Sequence, residues 1–278
     1  MLNNIERVTR PSQSTQFYLF NLFADYIVPR DGRIWTNDLL YLLDLLGVSE
    51  RAARTALSRM KLQGWFTTHK DGRRTQYEIT PLGQAILEEG DKRIFEEPFT
   101  DWDGHWHLVV YSLPEAHRKL RNELRKKLIW FGFGRLSPGS WVSARDWVAE
   151  LTAVCQSLDV SEYVTMFTAV TANDTNLIQQ CWDISALAAD YQTFIQRHQS
   201  EYDAIQSGQQ TLSPEDCFVQ RFCLTYHFQR FPLKDPNLPA ALLPDDWIGY
   251  TAHTLFRQYR QLLNVGMGDF IDDVIRDS

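Results

Sequence analysis

The stretch that most constrains this chain is residues 47–83, where helix stop, helix start, hairpin and helix start follow in quick succession. Gly47 fits the left-handed stop of a helix over 37–46, with Thr36 as its expected N-cap and Leu39, Leu40, Leu42, Leu43 and Leu46 as its buried face. Ser49 is placed to cap a further helix over 50–63. Two strand-like runs follow, over 65–70 and 73–79, joined by Asp71-Gly72. Both of those residues tolerate positive φ, which a tight hairpin turn demands. Thr80-Pro81 then opens another helix, with Thr as cap and Pro at a position where the missing N–H costs nothing. With a helix from about residue 16, ended by Pro29 and Asp31-Gly32, the expected order is helix, helix, tight turn, helix, two-stranded hairpin, helix. That is a winged helix-turn-helix.

The 50–63 helix has two unlike faces. At about 100° per residue, Ala53, Ala56, Leu57 and Met60 share one side, suited to packing. Arg51, Arg54, Thr55 and Ser58 share the other, with Arg59 and Lys61 flanking it. Arg donates bidentately to guanine, and Ser and Thr hydroxyls adapt to either base edge. Free N–H groups near Ser49 suit a phosphate. Lys70, Arg73 and Arg74 surround the hairpin tip, in reach of a DNA backbone or minor groove. Ser49, Arg51, Arg54, Thr55, Ser58, Arg59 and Lys61 are thus the expected recognition-helix contacts, and Lys70, Arg73 and Arg74 the expected wing contacts. A solvated basic face is the plainer reading of the helix alone; its place in the motif favours DNA.

A net charge of −7 over 278 residues argues against nucleic acid until its distribution is seen. Residues 147–278 hold 7 Lys+Arg against 17 Asp+Glu, a net −10, while residues 1–95 hold 13 against 11, a net +2. Between Arg51 and Arg74 there are seven basic residues and a single acid, Asp71. Such a local patch faces phosphates even in an acidic chain. Four irregularly spaced cysteines do not make a disulfide framework and suit reduced thiols. Neither a membrane-length apolar run nor a secretory leader is visible, so a cytoplasmic protein without membrane contact is expected.

Beyond residue 95 the pattern changes twice. A frayed tail at 1–12 and a linker at 96–104 bracket the first domain, 1–95. Residues 96–172 alternate strand, helix, two short strands, helix and strand, a βαββαβ unit of ferredoxin-like type. Residues 173–278 read as helical, with periodic segments near 183–208, 213–230 and 245–263 and Pro-punctuated joints. The fold class is α+β, with three domains at 1–95, 96–172 and 173–278.

Several segments carry a family resemblance. ERAARTALSRM at 50–60, followed by Gly64-Trp65, resembles the recognition helix of the phenylacetic acid degradation repressor (PaaX) family. FADYIVPR at 23–30, GRRTQYEITPLG at 72–83, WDGHW at 102–106, PGSWV at 138–142, PLKDP at 232–236 and LPDDW at 243–247 are similar to it as well. The resemblance spans about residues 16–265. It implies a dimeric repressor of an aromatic-acid catabolic operon, bound to double-stranded operator DNA. It also implies release by an aryl-acyl-CoA such as phenylacetyl-CoA, with no other cofactor. Ser49, Arg51, Arg54, Thr55, Ser58 and Arg59 fall on the family's recognition helix. No motif marks the effector pocket, and the acidic C-terminal part offers no evident anchor for CoA phosphates.

Other constellations point less far. The middle segment also resembles the ferredoxin-like nucleases of CRISPR adaptation, which implies a metal-holding acid at the end of the first strand. Tyr111-Ser112-Leu113-Pro114 offers none before Glu115. A metal-dependent nuclease targeted by a winged helix, or a protein-interaction adaptor, is the alternative reading. Arg118, Lys119, Arg121, Arg125, Lys126 and Lys127 form a basic run that reads best as a solvated face with a Glu123–Lys127 pair. His105 and His107, and Cys217, Cys223 and His227, lack metal-ligand spacing and read as structural. Tyr191, Phe194, Tyr202, Phe218, Phe222, Tyr226 and Phe228 read as core before they read as an effector pocket. No catalytic motif is recognisable, so no enzyme is expected.

Overall fold

The structure, a computed structural model, describes residues 15–95, 101–232 and 234–276. The tail at 1–12 and residues 96–100 of the linker lie outside the described residues. Packing divides the chain into two compact units. The first gathers the described residues up to 96 with 201–225 and those from 258 onward. The second gathers the described residues of 97–200 and 226–257. Helices and two small antiparallel sheets make the chain α+β.

The first unit starts with α1 (Thr15–Leu22), which runs into a π turn at Phe23–Ile27 and a 3-10 turn at Val28–Arg30. One regular helix was expected here; instead the pitch widens at Phe23, whose carbonyl takes the Val28 N–H. Pro29, lacking an N–H, stops the helix, and Asp31 and Gly32 turn the chain in the left-handed region. Then come β1 (Arg33–Trp35), α2 (Thr36–Leu45), α3 (Glu50–Leu62), β2 (Phe66–Asp71), β3 (Arg74–Ile79) and α4 (Pro81–Phe95). Both α2 and α3 end in the same device. Gly47 and Gly64 adopt φ of 74° and 80°, and the next residue's N–H reaches back, Val48 to Leu43 and Trp65 to Met60. These are the 6→1 bonds of a Schellman motif, which satisfy carbonyls left open at a helix end.

Two local expectations change. Thr36 is the first residue of α2 and Trp35 its cap, because the Thr36 hydroxyl donates to the Thr75 carbonyl at 2.7 Å. The hairpin is part of a three-stranded sheet in the order β1-β3-β2, with Arg33, Ile34 and Trp35 opposite Glu78, Tyr77 and Gln76. Ile34 and Phe66 of the sheet, Leu39 and Leu43 of α2, and Ala53 and Leu57 of α3 are buried. The same unit includes residues 201–206 of α8 (Ile184–Gln206), 214–225 of α9 (Pro214–Phe228), 258–267 of α10 (Ile248–Met267) and α11 (Phe270–Arg276). Tyr18 stacks on Phe222, and Tyr26 meets Phe218 edge-on.

In the second unit β4 (Trp106–Tyr111), β5 (Gly134–Ser137), β6 (Ser140–Ser143) and β7 (Val164–Ala169) form an antiparallel sheet in the order β5-β6-β4-β7. One face buries Val109, Tyr111 and Trp141 against Leu124 and Leu128 of α5 (Arg118–Trp130) and Leu151 and Cys155 of α6 (Val148–Ser157). The other buries Trp106 and Val142 against Ile178 of α7 (Asp174–Cys181) and Leu238. The Trp106 indole donates to Asp174 at 2.8 Å. Phe194, Phe228, Phe231 and Phe256 fill the helical part, with Phe228 and Phe256 stacked at 3.9 Å. The seven C-terminal aromatics are thus divided: Tyr202, Phe218 and Phe222 belong to the first unit, Tyr191, Phe194, Tyr226 and Phe228 to the second.

Candidate nucleic-acid interface

Ser49 caps α3, accepting the Ala52 N–H at 3.4 Å. Ala53, Ala56, Leu57 and Met60 are buried, which turns the opposite face outward. Arg51, Arg54, Thr55, Ser58, Arg59 and Lys61 are all exposed. Three of them are engaged locally. Arg54 Nε donates to Glu50 one turn earlier at 2.7 Å, the Thr55 hydroxyl donates to the Arg51 carbonyl at 2.8 Å, and Lys61 Nζ donates to Thr68 of β2 at 2.7 Å. The last bond ties the C-terminal end of α3 to the hairpin. Burial raises the Tyr77 hydroxyl pKa, with the Arg54 guanidinium opposing the shift.

Lys70, Arg73 and Arg74 are exposed around the hairpin tip, where the turn is Gly72-Arg73 and not the expected Asp71-Gly72: Asp71 still pairs with Arg74, and only Gly72 takes a positive φ, 55°. The Arg74 guanidinium sits 4.5 Å above the Trp35 ring, a cation–π contact that holds it on the sheet's outer face. Register puts Arg33, Glu78 and Thr67 on that face with it, and His69 one step along. Glu78 binds Arg33 at 2.8 Å and His69 at 2.6 Å. The Arg33 hydrogen bond holds the Glu78 carboxyl below its ordinary range, with desolvation opposing and His69 assisting. Arg33 and Trp35 escape sequence reasoning because only the β1–β3 pairing brings them to this face, beside the His69 and Glu78 that the hairpin joins.

The basic run of α5 belongs to the second unit. Arg118, Lys119, Lys126 and Lys127 are exposed. Arg121 binds Glu115 at 2.9 Å, and Lys126 binds Glu123 at 2.7 Å. Three residues apart serves as well as four on a helix surface. Among the described residues, no three His, Cys, Asp or Glu side chains converge as a metal site needs, and no helix is long and apolar enough to cross a membrane. His107 is buried on β4, and Cys217 is buried in α9.

Three family profiles cover almost the whole chain: a PaaX-like protein profile at residues 14–83, the PaaX protein central Cas2-like domain at 100–179 and the PaaX-like protein C-terminal domain at 182–273. The chain belongs to the PaaX family. Among similar proteins is the transcriptional repressor PaaX of Escherichia coli (strain K12), 31% identical over 241 residues, which are 84% of this chain and 76% of that protein. A solved structure, that of the uncharacterized protein Rv0674 from Mycobacterium tuberculosis, shares the fold with a TM-score of 0.61. It is 21% identical, and the match covers 94% of this PaaX-family chain and 100% of that one. Within the PaaX-like segment at 14–83 lie α3, the hairpin and every expected DNA contact.

Proposed function

We propose that this chain is a DNA-binding transcriptional repressor whose first unit is a winged helix-turn-helix, with α3 in the major groove and the β2–β3 hairpin as the wing. The observation that carries this reading is the outward face of α3: Arg51, Arg54, Thr55 and Ser58 exposed, opposite buried Ala53, Ala56, Leu57 and Met60. Early residues of such a helix read base edges, and flanking cations bind phosphates. Arg51, Arg54, Thr55 and Ser58 take the first role. Ser49, Arg59, Lys61, Lys70, Arg73 and Arg74 take the second. The relationship to a transcriptional repressor supports the same function.

The finer reading is a homodimer in the cytoplasm, with two α3 helices spaced by about 34–36 Å or a multiple, one turn of DNA. The sheet of the second unit is read as ferredoxin-like. The regulated operon is one for an aromatic acid, and an aryl-acyl-CoA such as phenylacetyl-CoA releases the DNA. A cleft of about 540 Å³ in the second unit, lined by Ile178, Trp182, Ile184, Leu242 and Leu243, supports room for an aryl group. Effector coupling of roughly 1–3 kcal/mol is the usual size for such linkage.

Fluorescence anisotropy on duplexes from its own and neighbouring promoters, across a salt series and with aryl-acyl-CoA esters, tests this. Tight selective binding released by one ester is expected. Equal affinity for every duplex would leave only generic electrostatics and end the operator reading.

A further inference from the structure

Asp25 lies in the π turn at Phe23–Ile27 and faces two guanidinium groups. Arg260 of α10 donates from Nη2 to its Oδ1 at 2.7 Å, and Nη1 of Arg221 in α9 stands 3.6 Å from its Oδ2. The side chains of Asp25 and Arg221 are each 7% exposed, and that of Arg260 is 27% exposed. Arg221 also lies 4.6 Å from the centre of the Tyr26 ring, on the residue next to Asp25. Taking ions out of water costs about as much as their attraction returns, so a buried cluster like this is a poor device for stability alone. Its best-attested use is to select one register among several. Here one carboxylate serves two cations, so the whole cluster depends on Asp25.

The place of the cluster gives it a consequence. A π turn interrupts the regular ladder of a helix and frequently sits at functional positions. On this one, Phe23 packs its ring 4.3 Å from Phe66, the first residue of β2. One turn earlier, Phe20 meets Trp65 at 6.0 Å. Trp65 and Phe66 directly follow the Schellman end of α3, where Lys61 is tied to Thr68. One π turn therefore carries both Asp25, held by Arg221 and Arg260, and Phe23, packed on the junction of α3 and the wing. Arg30–Asp272 at 2.7 Å and Tyr41–Glu215 at 2.7 Å also join C-terminal residues to the same unit, but both are more exposed.

We propose that Asp25 is a positioning residue for DNA reading: by gripping Arg221 and Arg260 it lets α9 and α10 set the pose of α3 against the wing. This rests on the reading of α3 as the recognition helix. It makes the DNA-reading module dependent on residues about 200 positions later in the chain, and gives helices outside it a means to alter selectivity without touching DNA.

The test uses the full chain with Asp25→Asn, Arg260→Met, the pair, Asp25→Glu, and Tyr41→Phe as control. Anisotropy on the selected duplex and on competitor DNA is measured well below each variant's unfolding temperature. Asp25→Asn and Arg260→Met are each expected to lower the selected-to-competitor affinity ratio roughly tenfold, with the salt slope unchanged. The pair is expected to lose no more than Asp25→Asn alone, Asp25→Glu to recover part of the ratio, and Tyr41→Phe to keep it. Folded variants that retain the parent ratio would overturn the proposal and leave the DNA-binding reading standing. Should Asp25→Asn not fold, Arg260→Met decides alone, Arg260 being the more exposed of the two cations. A parent chain with no duplex preference would remove both.

Discussion

Arg54 is held by Glu50, its Nε 2.7 Å from the carboxylate one helical turn earlier. Both are exposed, and under the proposed DNA reading Glu50 competes with the DNA for Arg54. Glu50→Gln is expected to tighten binding to all duplexes several-fold at low salt, by freeing Arg54 and removing an acid from beside the phosphates. The helix loses an exposed i,i+4 pair and a first-turn acid, together under about 1 kcal/mol. Unchanged or weaker binding by this variant would mean that Glu50 does not compete with DNA for Arg54.

Base reading and phosphate anchoring are expected to separate between α3 and the wing. Arg54→Ala should cost roughly 1–3 kcal/mol on the selected duplex and relax preference at one base position. Arg73→Ala should weaken all duplexes evenly and lower the salt slope by about one. Competition binding against single-base variants of the duplex reads both effects. Equal loss of selectivity from the two substitutions would refute the division.

Acid is expected to destabilise the second unit. His198 and His227 are joined at 3.1 Å from Nε2 to Nδ1, and His253 lies 3.3 Å from the Tyr191 hydroxyl. Burial lowers the His198 pKa to about 3, with His227 and Arg197 adding to it. Burial likewise lowers His227 to about 4, helped by Arg197 and Arg230, and His253 to about 4, helped by Arg257. These folded values lie below the unfolded value near 6.5, so below that pH the unfolded chain binds more protons. The stability tied to neutral rings is complete above about pH 6.5 and is lost as pH falls toward 4, by on the order of 1 kcal/mol per pH unit for each ring. Thermal unfolding followed from pH 7.5 to 4.5 should show the decline, and His227→Gln should flatten it. A midpoint constant over that range would contradict it.

Leu57→Ala should separate folding from DNA contact. Leu57 is fully buried on the inner face of α3. Its truncation is expected to cost about 2–5 kcal/mol by lost transfer energy and a residual cavity. The first unit should then melt earlier while the outward arginines stay in place. Chemical denaturation measures the loss, and a cost under about 1 kcal/mol would show that α3 is not seated as its buried face indicates.

What the sequence by itself determined was most of what is governed by neighbours a few residues apart, the π turn at Phe23–Ile27 excepted. Ser49 caps α3, Thr80 accepts the Gly83 N–H at 3.0 Å, Gly47 and Gly64 close their helices, and Gly72 turns the hairpin one residue later than expected. Helical period alone sorted the buried from the exposed face of α3. Only the tertiary structure decided what depends on distant partners. β1 is three residues long and exists by pairing with β3, more than forty positions away; the same pairing diverts Thr36 from capping and brings Arg33 to the Glu78 that the hairpin sets beside His69. The division into two units cuts across the C-terminal helices, and Asp25 finds its partners at 221 and 260. No local propensity encodes these, because a strand pairing or a buried ion pair gains its energy only after the fold has closed the loop that brings its members together.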